Sequence, residues 1–397
     1  MKTLIILKGL VKRKKLEWVE EQGLTNFFLD YDALRRLYYK PEISQGDEVL
    51  VRSKDNLLYE HFLRILCLRL DLGCLVCVDL DTESGAFLES LAIVYGYHIF
   101  YKTFQTPSDF SKNYKNYGIS YYPKPTRSEL QGLTGIFSKK ELKKLPDQID
   151  CFQDILDYWR MNGGRYKKIV KGDILHISDL HSNWSLYRQI NCGCSTTMFH
   201  GDYIDGPEVG GSRKLMDLAL YCPDRNTIFL EGNHEIRLRK YLGSKWLYGS
   251  KKTLSRILRE SIPEDFMNRT APDFSDIAKD PIEAKQYLVD MNRRLREFIK
   301  ILRGNEILYC THSGFRSLSQ IDPRYIGNVI YGSRNMDKID SQFSRQYSDK
   351  GIWSIHAHCQ YPNIWNPTKY RGVLNIDPED ENTICYFDGK QVKTIKA

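Results

Sequence analysis

Five short runs between Asp179 and His358 carry side chains that can hold metal ions or move protons. ILHISDLHSN supplies Asp179 and His181, FHGDYIDG supplies Asp202 and Asp205, LEGNHE supplies Asn233 and His234, YCTHSGF supplies His312, and SIHAHCQ supplies His356 and His358. The chemistry these residue types suit is phosphate ester hydrolysis. Anionic ester oxygens repel nucleophiles, and two divalent cations about 3.5–4 Å apart screen that charge and acidify a water held between them. Carboxylate, amide and imidazole donors suit manganese, iron, zinc or nickel, and no ligand position is a cysteine. Asp179 and His181, two apart at a strand end, can offer two donors on one side of the backbone. Asp202 stands where a bridging carboxylate is needed, and Asn233 and His312 are placed for the second ion. Seven of the nine histidines lie from His176 onward, so His61 and His98 are read as structural or surface residues.

Any one of these motifs arises by chance, whereas five in this order have little chance explanation. Together they resemble the calcineurin-like metallophosphoesterases, and GDYID with GNHE is similar to the phosphoprotein-phosphatase-like branch, over residues 173 to 390. The resemblance implies that Asp179, His181 and Asp202 bind one metal, that Asp202, Asn233, His312 and His358 bind the other, and that two ions, manganese foremost, are the cofactors. It also implies His234 as general acid, held by Asp205. An imidazole can protonate a leaving alkoxide near neutral pH, and a carboxylate partner fixes its tautomer. Two positions depart from the pattern. Gly206 and Pro207 follow Asp205 where an arginine usually grips the phosphate, which leaves Arg213, Arg237, Arg239 or Arg316 to do so. The last motif aligns either as a single-histidine ending at His358 or as a His-x-His pair. His358 is favoured as the ligand, with His356 facing phosphate or supporting from behind.

The elements ahead of these motifs form a second unit. KTLIILKGL reads as an apolar strand ending in Gly9, and VKRKKLEWVEEQ as a helix, the strand-loop-helix order of a phosphate-binding loop. Gly9 and Lys15 fit that pattern, but Lys14 replaces its second glycine and Leu16 its metal-binding hydroxyl residue. FFLDYDALRRLYY resembles the Asp-x-x-Arg segment of polynucleotide 5′-kinases through Asp32 and Arg35, and Arg127 is a candidate lid arginine. The whole order resembles the bacterial end-healing polynucleotide kinase-phosphatases. No 5′-kinase activity is expected from the broken loop. The basic run Lys12 to Lys15 and the aromatic segment 114–127 offer phosphate contacts and base stacking instead, although the first could be a surface charge run and the second strand core.

At 397 residues with 42% hydrophobic composition, the chain can bury two cores. The expected fold is α/β: an N-terminal P-loop-kinase-like parallel domain over residues 1–165, with linker helices from about 138, and a calcineurin-like α/β sandwich over 166–397. A charged helical insertion over 236–303 should roof the site, and Asp388-Gly389 should turn a closing hairpin. The ten cysteines show no disulfide spacing; Cys74-x-x-Cys77 reads as buried strand, and Cys192-x-Cys194 carries no metal or redox reading. With no leader pattern and no spanning apolar run, a reducing cytoplasm without membrane attachment is the expected setting. The net charge of +8 favours anionic partners. The leading function is hydrolysis of nucleic-acid or nucleotide phosphates, such as 3′-phosphate or 2′,3′-cyclic ends. The alternatives are a phosphoprotein or dinucleoside-polyphosphate phosphatase, or a nucleic-acid-binding pseudoenzyme, which the intact metal motifs disfavour.

Overall fold

The run TLIILK is apolar without alternation, which suits a strand covered on both faces, and it forms β1 (Thr3–Lys8) at an interior position of a parallel sheet. The computed structural model describes residues 1–9, 12–31, 33–34, 47–79, 85–105, 147–332, 335–358, 368–378 and 382–396. Strands β2 (Phe28–Asp30), β3 (Val76–Asp79) and β4 (His98–Thr103) complete a four-stranded sheet in the order β2-β3-β1-β4. All its pairings are parallel, with Ile5 opposite both Cys77 and Phe100. Ile5 and Leu7 pack with Trp18, Val19 and Phe152 on one face, while Leu4 and Ile6 turn to the opposite face. Cys77 lies buried within β3, as a strand reading of Cys74-x-x-Cys77 requires.

A helix over Phe152–Met161, opened by a capping box between Cys151 and Asp154, leads through Gly163 and Gly164 into β5 (Lys167–Ile169). From here the chain builds two five-stranded sheets. One runs β12 (Val373–Asn375), β11 (Ile352–His356), β10 (Glu306–Thr311), β9 (Phe298–Arg303), β5, and the other β14 (Val392–Lys396), β13 (Thr383–Phe387), β6 (Ile174–Ile177), β7 (Thr196–Phe199), β8 (Thr227–Phe229), with β6, β7 and β8 parallel neighbours. Between the sheets lie Ile174, Met198, Leu230, Ile301, Leu308, Ile355 and Leu374. This is the expected mixed α/β architecture. The closing strands β13 (Thr383–Phe387) and β14 (Val392–Lys396) form the expected hairpin, with Gly389 at φ 88°.

The charged insertion is helical only in part. Helices span Glu235–Leu247, Lys252–Glu260, Glu264–Arg269, Ser275–Lys279 and Pro281–Arg294, the last started by Asp280 accepting from the Ile282 N–H with Pro281 at its first position. Residues Phe298–Arg303 form β9 instead of continuing the helix, because FIKIL suits pairing against β10 (Glu306–Thr311). β11 (Ile352–His356) and β12 (Val373–Asn375) finish that sheet.

One apolar cluster joins the two halves. It includes Leu4, Phe62, Leu66, Leu91 and Tyr95 from the first and Ile177, Phe199, Leu238, Leu242 and Leu288 from the second. Charges cross the same seam: Lys2 Nζ donates to Glu231 at 2.9 Å, Lys240 pairs with Asp71 at 3.2 Å, and Arg64 pairs with Glu260 at 2.6 Å. No helix among the described residues is long and apolar enough to cross a membrane.

Candidate metal centre

The five motifs sit on turns that follow β6, β7, β8, β10 and β11, where separated segments can converge on one rim. The backbone there is strained. Asp179, His181, Ser182, Asp202, Asp205 and His358 all have φ between 40° and 73°, and they are six of the seven non-glycine residues with positive φ among those described. Such conformations cost about 1–3 kcal/mol each and persist where surrounding structure fixes them.

Glycines let the turns approach. A Cβ on Gly232 would run into Asp202 Oδ1, and one on Gly201, at φ 99°, would crowd the backbone of Gly232. Glu235 clamps the same crossing, its carboxylate accepting from the N–H groups of Asp202 (3.1 Å), Tyr203 (2.9 Å) and Gly232 (2.7 Å). Burial, with the nearby Asp202 charge, pushes Glu235 up to about 7.

Four of the expected ligands meet around His312. Its Nε2 lies 2.9 Å from Asn233 Oδ1, 3.1 Å from His358 Nδ1 and 3.4 Å from Asp202 Oδ2. Its Nδ1 lies 2.6 Å from the His200 carbonyl, the bond that leaves Nε2 with a lone pair toward the cluster. His181 is similarly placed, with Nδ1 3.3 Å from the Ile204 carbonyl. His181, Asp202 and His234 form one group of mutually close donor atoms, and Asp202, His312 and His358 form another, so Asp202 is shared. Asp179 Oδ2 reaches the His358 N–H at 3.4 Å.

The electrostatics fit cations. Burial and the Asp377 carboxylate hold Asp179 well above the usual carboxylate range. Burial opposes charge on His312, yet Asp202 and Asp179 lift it to about 10. Asp377 is itself pushed up to about 7 by burial. Carbonyl, carboxylate and imidazole acceptors thus face one another in a buried space, which suits the hard-to-borderline divalent ions expected from the sequence.

Beside this group stands His234. Its Nδ1 is 2.9 Å from Asp205 Oδ2, and its Nε2 is 3.7 Å from Asp202 Oδ2. Burial lowers the proton affinity of His234, but Asp202 and Asp205 outweigh it and raise the net value. Asp205 is held three ways, since Arg237 also donates to Oδ2 at 2.7 Å and Thr270 to Oδ1 at 2.6 Å. Thr270 comes from the helical insertion, which therefore touches the site.

The candidate phosphate-binding residues separate. Arg237 lies at the rim, 3.3 Å from His234 Nδ1. Arg239 is buried against Glu231 and Asn292, while Arg213 is paired with Asp217 and Asp276, so both are committed to other partners. Arg316 is exposed. Gly206 cannot carry the missing arginine, because a Cβ there would overlap the His181 carbonyl. His356 is fully buried, with Nε2 3.0 Å from Asp340.

In the first half, Lys15 is buried and its Nζ donates to Asp79 at 2.7 Å, while Lys12 reaches Asp30 and Asp79 at 2.5 Å each. The expected basic run therefore presents only Arg13 and Lys14 to solvent, the helical period having turned the other two lysines inward. Gly9 has φ 122°, and a Cβ there would strike the Phe104 carbonyl. Asp32, Arg35, Arg127 and the aromatic segment 114–127 lie outside the described residues.

Sequence reading missed Glu235, Thr270 and Asp377. Glu235 stood in the LEGNHE motif and could have been found there; Thr270 and Asp377 carry no local signal.

Among solved structures, the chain resembles the cold-active protein-tyrosine phosphatase of a psychrophile, Shewanella sp., at 13% identity, covering 58% of this chain and 82% of that one with a TM-score of 0.32. A point mutant of a cold-active protein tyrosine phosphatase gives 12% identity, the same coverages and a TM-score of 0.33. No curated protein matches the chain. Residues 172–386, more than half of the 397, match the family model for calcineurin-like phosphoesterases, and with the donor cluster falling inside that span the chain belongs to this family.

Proposed function

We propose that this phosphoesterase hydrolyses terminal phosphates of nucleic acid, 3′-phosphate or 2′,3′-cyclic phosphate ends, and that the first half docks the strand without transferring phosphate. The observation that carries the hydrolytic reading is the shared Asp202, flanked by His181 and His234 on one side and His312 and His358 on the other. Two divalent ions, manganese foremost, would be held by Asp179, His181, Asp202, Asn233, His312 and His358, and when bound would acidify water and screen the phosphate charge. His234 delivers a proton to the leaving oxygen from Nε2 while Asp205 keeps the proton on Nδ1. Arg237 sits where a phosphate oxygen could be drawn toward that acid.

The substrate class is supported by the first half. Its parallel sheet brings Asp30 and Asp79 to the C-terminal edge, where nucleotide-binding α/β sheets hold ligands, and Lys15 meets Asp79 there from the helix Lys12–Glu21. Asp30 and Asp79 already neutralise Lys12 and Lys15, which accords with a kinase-like core that docks a strand without cradling ATP. Lys14 faces solvent and could meet a phosphate backbone, as could Arg13 on exchanging its exposed ion pair with Glu17 at 2.8 Å.

The test is a panel of end-labelled RNA and DNA, a phosphopeptide and diadenosine tetraphosphate, each with manganese, iron, zinc or nickel. Release of phosphate or opening of the cyclic ester from oligonucleotides is expected. Selective turnover of the phosphopeptide or the dinucleotide would overturn the substrate assignment. For docking, Arg13→Glu with Lys14→Glu should slow oligonucleotide turnover at low salt, spare a small aryl phosphate, and lose its effect as salt rises. Equal slowing of both substrates would refute docking there, and labelled phosphate moving from ATP to a 5′-hydroxyl would refute the absence of kinase activity.

A further inference from the structure

Cys192 and Cys194 lie on the loop between the short helix Trp184–Tyr187 and β7, and their sulfurs are 2.9 Å apart. Sequence spacing alone gave this pair no redox reading, but the fold turns both side chains to the same side. A disulfide needs a separation of about 2.03–2.05 Å, so closing the pair asks for a shift of roughly an ångström. The intervening residue can supply it: Gly193 is exposed, and an added Cβ there would meet nothing within 4 Å. Both cysteines are partly exposed, so a small reagent can reach them.

We propose that Cys192 and Cys194 form a redox-active dithiol that closes into a Cys-Gly-Cys disulfide by exchange with a small-molecule disulfide such as glutathione disulfide. Cys192 begins. Its thiolate attacks one glutathione sulfur, forming a mixed disulfide and expelling one glutathione thiolate. Cys194 then gives its proton to water, and its sulfur attacks the Cys192 sulfur, forming the ring and expelling the second glutathione. Two protein thiols are oxidised, one glutathione disulfide is reduced to two thiols, and a thiol in excess runs the exchange backward.

The order follows from surroundings. Burial pushes the Cys194 thiol up to about 12, helped by its hydrogen bond with Cys192, and its Sγ–H donates to the Asp388 carbonyl at 3.2 Å. Asp388 belongs to the turn joining β13 to β14, so oxidation removes a sulfur donor from the edge of the sheet that also holds β6.

The test uses the full chain treated with glutathione disulfide, alkylated in denaturant and digested with trypsin without reduction. The peptide from Gln189 to Arg213 contains both cysteines and no other. Its expected form is two hydrogens lighter than the dithiol and unalkylated, returning to the doubly alkylated form after excess glutathione. Cys192→Ser should abolish the lighter form. A doubly alkylated peptide after oxidation, a stable glutathione adduct on one cysteine, or a link to another peptide would each overturn the proposal.

Discussion

His234→Ala tests the acid role cleanly because of what its removal leaves behind. The His234 backbone N–H donates to Asp202 Oδ1 at 3.0 Å, a contact that alanine keeps. Asp205 loses one partner but retains Arg237 at 2.7 Å and Thr270 at 2.6 Å, so no buried carboxylate is stranded. The cost to stability should stay below about 2 kcal/mol, the ordinary range for a change that creates no orphaned charge. Loss of a general acid slows the step it assists by about 10²–10⁴-fold, or about 2.7–5.4 kcal/mol at 1.36 kcal/mol per decade. That full loss should fall on alkyl phosphates, whose leaving oxygen needs a proton. An activated aryl phosphate, which departs as a stable anion, should lose much less. The assay is kcat/KM over a series of leaving groups, with metal content measured on the same samples. Equal losses across the series, or loss of metal with activity, would refute the acid assignment.

Asp202→Ala should bring hydrolysis to background and lower the number of bound divalent ions, because both donor groups lose their shared carboxylate; unchanged metal content by elemental analysis would refute the bridge. Gly206→Arg, which would restore the arginine of the phosphoprotein-phosphatase pattern, should instead weaken metal binding by at least about tenfold, since any side chain there displaces His181; a rise in phosphatase activity would refute this. Deleting residues 1–165 should leave an unfolded or aggregated chain rather than an independent phosphatase, because the apolar cluster crosses the seam; a monomeric fragment with a cooperative urea transition would refute that. Glu297 is buried, and although burial opposes its ionisation, Arg165 and Lys2 hold its carboxyl well below the usual range. Its stabilisation is therefore complete above the unfolded value of about 4.3 and is lost as pH falls below it. Glu297→Gln should cost about 3–5 kcal/mol at neutral pH and lose that deficit in acid, read by urea unfolding at several pH values; a gap that ignores pH would refute it.

Legibility differed with the kind of signal. The candidate ligands could be read because each lies in a short motif whose donor types already specify a chemistry, and the turns after β6, β7, β8, β10 and β11 bring them together. β1 was readable from six residues because a strand buried on both faces is apolar throughout. The boundary between helix and strand near residue 295 was not, since RRLREFIK has charges at helical intervals and only pairing with β10 selects the strand. Lys12 and Lys15 misled for a related reason. Charge predicts exposure, but Asp30 and Asp79 arrive from β2 and β3, and these distant partners make burial tolerable.

The same distinction explains how the halves are joined. Glu231 lies two residues past β8 and two before Asn233, and would be a costly buried charge if the second half stood alone. Lys2 from β1's start and Arg239 from the helix after His234 both reach it. Arg239 also bonds Asn292, whose amide donates to the Ile93 carbonyl in the first half. The turn that carries Asn233 and His234 is therefore backed by a charge network completed across the seam. The phosphoesterase turn thus leans on the first half, whatever else that half does.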